Sequence, residues 1–126
     1  MNIKEDLLYT KDHEWIKITD KIITLGITDF AQSELGDIIF VELPSINDNV
    51  NKGDSLGTIE AVKTVADLYT PVSGKIIEVN SMIEEDPELM NSAPYDNGWI
   101  VMIESKEPIF LDDFLNSDDY LKFIGA

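Results

Sequence analysis

The stretch from Gly57 to Gly74, G-T-I-E-A-V-K-T-V-A-D-L-Y-T-P-V-S-G, decides the reading of this chain. Two runs rich in Ile, Val, Leu and Tyr flank Lys63, and a glycine bounds each on its outer side, the composition of a β-hairpin with Lys63 at its tip. A lysine in such a place ordinarily does no more than keep a strand edge soluble. Two features set this one apart. The chain carries 9 Lys and Arg against 25 Asp and Glu, and Ala61, Val62, Thr64, Val65 and Ala66 leave Lys63 as the only charge on the tip. It is a presented group that an enzyme can single out.

Upstream of the hairpin, Tyr9 to Ile18 leads into a strand with apolar Trp15, Ile16 and Ile18, and the polar turn Thr19-Asp20-Lys21 returns the chain. Ile22 to Ile27 is the return strand, with Ile23, Leu25 and Ile27 on one face. Thr28 is placed to cap a short helix through Ala31 and Leu35, with Asp29 in its first turn and Gly36 as its stop. Asp37 to Leu43 reads as a largely buried strand ending at Pro44, and Asn51-Lys52-Gly53-Asp54 as a tight turn into the lysine hairpin. Downstream, Lys75 to Val79 is a further strand and Asn80 to Asn97 is mixed, with a helical turn before Pro87. Trp99 to Glu104 is the last strand. The segment from about 109 to 124 has helical spacing at Leu111, Phe114 and Leu115 and again at Tyr120, Phe123 and Ile124, which predicts two short helices against the β core. Trp15, Phe30, Phe40, Tyr69 and Trp99 fall at apolar positions and are expected in the core rather than as a ligand platform. Many short strands with close-set turns favour a mainly β sandwich or closed barrel.

A chain of 126 residues suggests a single domain, 1–126. Its formal net charge of −16, with no cluster of Lys and Arg to offset it, repels phosphate backbones and anionic headgroups, so neither nucleic acid nor a membrane is an expected partner. Without cysteine the chain holds no thiolate nucleophile and no disulfide. Any sulfur redox chemistry has to be borrowed. The N-terminus lacks both a signal-peptide apolar region and an Arg-rich transit character, and a cytoplasmic, monomeric protein is expected. His13 is the only histidine, too little for a metal site or a catalytic triad, and by itself reads with Glu14 as a strand-edge residue. The scattered Gly53, Gly57 and Gly74 form no phosphate loop.

The hairpin resembles the lipoylation hairpin of the glycine cleavage system H-protein family, whose usual pattern is E-S-V-K-A-x-S-D-x-Y-x-P-x-S-G. Glu60 to Gly74 here gives E-A-V-K-T-V-A-D-L-Y-T-P-V-S-G, with alanine at 61 and 66 where the family has serine and Thr64 where it has alanine. The resemblance extends through Y-T-x-x-H-E-W at Tyr9 to Trp15, G-I-T-D-F-A-Q at Gly26 to Gln32 and L-G-D-I-I-F-V-E-L-P at Leu35 to Pro44. It continues through P-E-L-M-N at Pro87 to Asn91 and P-Y-x-x-G-W at Pro94 to Trp99, in one register from about Tyr9 to Phe123. It implies the hybrid barrel-sandwich fold of lipoyl and biotinyl domains, enlarged by short peripheral and C-terminal helices.

The same resemblance implies a non-enzymatic carrier with lipoate in amide linkage to Lys63. The arm would take the aminomethyl group of glycine from glycine decarboxylase, the P protein, and pass it to aminomethyltransferase, the T protein. Dihydrolipoyl dehydrogenase, the L protein, would reoxidise it, and a lipoate ligase or lipoyl/octanoyl transferase would attach it. A tether of about ten bonds at ~1.5 Å each reaches on the order of 12 Å, allowing for bond angles. Glu14 lies in a motif that in this family lines a cleft for the loaded arm, and Asp67 in the hairpin is a second candidate. A carboxylate suits that task because the aminomethyl cargo is cationic when protonated. Two other readings keep the hairpin and change its job: a depot relaying lipoate to 2-oxoacid dehydrogenase subunits, and a biotinyl carrier. Such carriers usually place methionine on both sides of the lysine, and Val62 and Thr64 stand against that.

Overall fold

A computed structural model describes residues 2–125; Met1 and Ala126, the two ends of the expected 1–126 domain, lie outside the described residues. The expected first hairpin forms from β2 (Glu14–Thr19) and β3 (Ile22–Ile27), with a short β1 (Leu8–Tyr9) added beside β2. Helix α1 (Asp29–Leu35) follows. The Thr28 hydroxyl accepts from the Ala31 N–H at its start, and Gly36 ends it at φ 76°, a left-handed conformation that glycine adopts at no steric cost. Next come β4 (Ile38–Glu42), β5 (Asn49–Val50) and the hairpin of β6 (Ser55–Ala61) and β7 (Val65–Tyr69). The remainder is β8 (Gly74–Val79), α2 (Met82–Glu85), α3 (Leu89–Ser92), β9 (Val101–Ser105), a 3-10 turn at Leu111–Asp113 and α4 (Ser117–Phe123).

The strands form two sheets, six-stranded in the order β1-β2-β3-β9-β8-β5 and three-stranded in the order β4-β6-β7. Their facing residues make the core: Ile16, Ile23, Leu25, Ile76 and Ile103 from the large sheet meet Val41, Ile59 and Leu68 from the small one. These alternate along their strands, as the period of two requires. A second cluster of Leu7, Tyr9, Trp15 and Tyr120 fastens α4 over the N-terminal end, with Tyr9 and Tyr120 stacked at 4.6 Å. The indole N–H of Trp15 donates to the Pro94 carbonyl at 2.8 Å.

Several local expectations are corrected. β4 is not largely buried: a bulge between Ile38 and Phe40 turns Ile39 and Phe40 outward, 57% and 50% exposed, because the small sheet has only one covered face. Phe40 and Tyr69 are therefore surface residues rather than core, and Phe30 is only half-buried, whereas Trp15 is buried as expected. Between Asn80 and Asn97 two helical turns stand where one was expected. In the C-terminal segment the first of the two expected helices is a single 3-10 turn. Leu115 instead bridges to Tyr9, each backbone N–H donating to the other's carbonyl at 2.8 Å, and Leu111 and Phe123 remain exposed.

The small sheet has one close backbone approach. A Cβ on Gly57 would lie 1.9 Å from the Glu42 carbonyl oxygen, where the β6 register shifts. Gly57→Ala is expected to destabilise the fold by about 3 kcal/mol, the upper range for overpacking, since backbone rather than a flexible side chain has to move. Urea denaturation measures this; an unchanged midpoint would show that the strands can separate there freely.

Candidate functional site

The β6–β7 turn places Lys63 as the sequence suggests. The Ala61 N–H donates to the Thr64 carbonyl at 2.8 Å across the tip, and Val62, Lys63 and Thr64 are exposed. The tip is not free to swing. The Val62 N–H donates to the Asp37 carbonyl at 3.0 Å, tying the turn to the chain just beyond α1. A Cβ on Gly36 would sit 3.5 Å from the Lys63 Cε and 3.8 Å from its Nζ, so the lysine stem lies over the glycine that ends α1. At the other end of the hairpin the Gly53 N–H donates to the Thr70 carbonyl at 2.9 Å and the Thr70 N–H to the Asp54 carbonyl at 3.0 Å, which extends the ladder below β7.

β7 is an edge strand of the small sheet, and the space along that edge is the site. A cavity of about 410 Å³ lies between β7 and α1, with Ile27, Phe30, Ala31, Leu35, Ile59 and Leu68 as apolar lining. His13, Glu14, Ala66 and Asp67 also line it. The two carboxylates proposed from sequence thus meet in one cavity, at different depths. Asp67 is exposed at the rim, its oxygens 3.4 Å from the Ser55 and Tyr69 hydroxyls. Glu14 is only 2% exposed. It also borders a second, larger cleft of about 680 Å³, lined among others by Thr70, Asp112, Asp113 and Phe114.

Glu14 is held there by the turn before β2. The Thr10 hydroxyl accepts from the backbone N–H groups of Asp12 and Glu14, at 3.2 and 3.3 Å, and donates to Glu14 Oε1 at 3.2 Å. The other carboxyl oxygen, Oε2, accepts from the Tyr69 N–H at 2.9 Å, reaching from the large sheet to the free edge of β7. His13 is not an extended strand-edge residue. Its φ of 64° puts it in the left-handed region, more accessible to His than to most non-glycine residues, and this swings Glu14 inward. The His13 ring packs against Phe30 and Phe123 and lies 3.0 Å through Nδ1 from the Tyr120 hydroxyl, which is itself 2.7 Å from the Thr28 hydroxyl. Burial pushes the His13 pKa below its ordinary value, keeping the ring neutral.

Burial also dominates at Glu14, pushing its pKa from 4.5 up to about 8, with the Tyr69 and Thr10 hydrogen bonds pulling down and the Asp12 charge pushing further up. The cavity therefore ends in a carboxyl that is largely protonated at neutral pH. Sequence reasoning found this residue but neither its partners nor the apolar wall. Phe30, Ala31 and Leu35 were legible only as one face of a helix, and no local signal announced that this face stands opposite the edge of β7.

A surface lysine on a pinned hairpin with an apolar recess beside it, carried on two packed β sheets, is the arrangement of a carrier domain of the lipoyl and biotinyl type, built as a hybrid barrel-sandwich. The family model for the glycine cleavage H-protein matches residues 7–126, and the chain belongs to that family. It is 55% identical over 124 residues to the glycine cleavage system H protein of Listeria monocytogenes serotype 4a, covering 98% of this chain and 99% of that protein. To the corresponding protein of Staphylococcus haemolyticus it is 48% identical over 125 residues, covering 99% of both. A crystal structure of a glycine cleavage system H protein from Mycobacterium marinum superposes with a TM-score of 0.90 at 37% identity, over 98% of this chain and 100% of that one. The chain is thus a lipoyl carrier component of the glycine cleavage system, not an enzyme itself. Among the described residues no helix is long and apolar enough to cross a membrane.

The elevated pKa of Glu14 makes a sign-definite prediction. The folded state binds this proton more tightly than the unfolded chain does, so the contribution of Glu14 to stability is fully present below about pH 4.5 and is lost as pH rises to about 8. Glu14→Gln keeps an acceptor for the Tyr69 N–H and cannot ionise. In urea denaturation the variant is expected to gain on wild type between about pH 4.5 and pH 8, by up to about 1.36 kcal/mol per unit, and to hold level above that. A difference that does not change with pH would show that Glu14 titrates alike in both states.

Proposed function

We propose that Lys63 carries the lipoyl group as an amide and that the cavity between β7 and α1 shelters the loaded arm, with Glu14 at its deep end and Asp67 at its rim. The observation that carries this reading is the continuity of the exposed Lys63 tip, the apolar lining and the buried carboxyl along one strand edge. An aliphatic chain fits that lining. Once attached, the group would supply the disulfide chemistry that this chain lacks, and the P, T and L proteins are the partners this reading implies for loading, unloading and reoxidation. The carrier operates as a cytoplasmic, monomeric single domain, which is the form its short reach and acidic surface suit.

The protein's own part is positioning and protection. The amide links and the Asp37 tie fix where the arm is rooted, and Ile27, Phe30, Leu35 and Leu68 remove its chain from water. An ammonium group brought against Glu14 favours the ionised carboxyl, opposing the burial that raises its pKa. Docking of a cationic cargo therefore expels the Glu14 proton and leaves an ion pair, already braced on the carboxylate side by the Tyr69 N–H and the Thr10 hydroxyl. Uncharged forms of the arm gain only apolar contact and leave more readily.

Intact mass and peptide mapping of protein from its native host test the attachment site. Lys63→Arg is expected to fold as wild type, since the side chain is exposed, and to show no lipoyl increment; an increment on any other lysine overturns the assignment. Shelter is tested by the spontaneous loss of the aminomethyl group from isolated, loaded protein. Glu14→Gln is expected to weaken docking by about 1.5 to 3 kcal/mol, the range for a hydrogen bond to a charged group, and so to lose the group faster. Equal loss rates from two folded proteins would return Glu14 to a purely structural role.

A further inference from the structure

Three side chains from three parts of the chain meet beside the arm's cavity in an unbroken run of hydrogen bonds. The His13 Nδ1 lies 3.0 Å from the Tyr120 hydroxyl, and that hydroxyl lies 2.7 Å from the Thr28 hydroxyl, which accepts from the Ala31 N–H at 3.1 Å. Tyr120 and Thr28 are fully buried. One assignment of protons satisfies every member: Ala31 donates to Thr28, Thr28 to Tyr120, and Tyr120 to the bare Nδ1 of a neutral His13. A protonated ring carries a hydrogen on both nitrogens, so Nδ1 has to donate to Tyr120, and Tyr120 to Thr28. The Thr28 hydroxyl then receives two hydrogens, and its own proton is left without an acceptor among these partners in a site that excludes water. The run is therefore complete only with His13 neutral.

The run joins parts that the cavity needs at a fixed spacing. Thr28 caps α1, whose Phe30, Ala31 and Leu35 line one wall, and His13 directly precedes Glu14 at the deep end. The Thr28 N–H donates to the His13 carbonyl at 3.1 Å, a single backbone bond about which the two walls can still turn. Tyr120 reaches in from α4 and stops that turning: its ring stacks on Tyr9, and its hydroxyl holds His13 and Thr28 together. We propose that His13, Tyr120 and Thr28 form a latch by which α4 holds the cavity walls at the spacing that shelters the loaded arm, with His13 and Tyr120 as positioning residues for Glu14. This role rests on the arm docking at Glu14. Charge around the ring sets where the latch opens. Burial lowers the His13 pKa, while Asp12 beside it and Glu34 of α1 oppose the shift. Glu14 and Asp67 line the same cavity, and the charged groups of α4, Asp118, Asp119 and Lys122, are exposed. With the pKa depressed, the latch is complete above the titration of His13 and is lost as pH falls through it.

The test uses lipoylated protein loaded by glycine decarboxylase, as wild type and as Tyr120→Phe, which keeps the ring stacked on Tyr9 and removes the hydroxyl. Spontaneous loss of the aminomethyl group is followed from isolated protein, and the ratio of variant to wild type cancels the pH dependence of the adduct itself. The ratio is expected to be roughly five at about pH 7.5, the scale of one net hydrogen bond, and to fall to about one where wild-type His13 is protonated. That point is read directly, since His13 is the only histidine and its ring protons titrate alone in NMR spectra. The His13 pKa is expected to lie below 6.5 in wild type and to rise in the variant, which no longer donates to Nδ1. His13→Asn suits the left-handed backbone and cuts the run at its other end, so it is expected to give the same ratio at about pH 7.5 and decides the matter if Tyr120→Phe does not fold. A ratio of one at about pH 7.5 between folded proteins overturns the latch. A ratio that stays raised after His13 is protonated, or a His13 pKa unmoved in Tyr120→Phe, overturns it too and leaves Tyr120 a structural role alone. Glu14→Gln losing the group no faster than wild type overturns the docking of the arm at Glu14 instead, which separates the two failures.

Discussion

The hydrogen bond from the Tyr69 N–H to the Glu14 carboxyl is the constraint on which the site depends. Glu14 opens β2 in the six-stranded sheet, and Tyr69 closes β7 at the edge of the three-stranded sheet. An edge strand leaves amides unpaired, and another strand would ordinarily cover them. Here one carboxyl side chain takes the last of these amides and spans the gap that a strand would have filled. The two sheets are therefore tied at that point, and the edge of β7 beyond it faces α1 across the cavity. The cost of the arrangement is an ionisable group taken out of water, and the raised pKa of Glu14 expresses that cost.

Everything that fixes Glu14 also fixes the geometry of the carrier. The Thr10 hydroxyl closes the preceding turn, His13 takes the left-handed conformation that the turn needs, and Phe30, Phe123 and Tyr120 brace the His13 ring. The hydroxyl of Tyr120 in turn meets Thr28, the cap of α1, so the C-terminal helix holds both walls of the cavity entrance in register. On the opposite side Gly36 leaves room for the Lys63 stem and the Asp37 carbonyl holds the tip. A flexible arm rooted on a fixed base has a defined search volume, which is how a carrier without catalytic groups contributes to a reaction.

Charge divides the molecule in the same way. The net charge of −16 gives a strong negative field, and Lys63 is the one cation between β6 and β7. A partner that approaches the hairpin tip therefore meets a single positive charge in an otherwise negative field. The acidic pair Asp112-Asp113 borders the larger cleft that Glu14 also lines, and does not line the apolar cavity beside α1.

Local chemistry made much of this architecture legible. The turn at Asp20-Lys21, the Thr28 cap, the Gly36 stop and the lysine hairpin are each set by residues within a few positions, and each lies where the sequence placed it. Motif order marked Lys63 and Glu14 for the same reason: the residues that carry the signal are contiguous. What failed was exposure. Phe40 and Tyr69 have the composition of core residues, but whether an apolar residue is buried depends on what lies across from it, and the small sheet is covered on one face only. Leu115 left its expected helix because Tyr9, more than a hundred residues earlier, offered its backbone a partner. The depth of Glu14, its amide partner and the cavity wall from α1 belong to the same category. They arise from groups far apart in the chain meeting at the edge of β7, an encounter that no local pattern encodes.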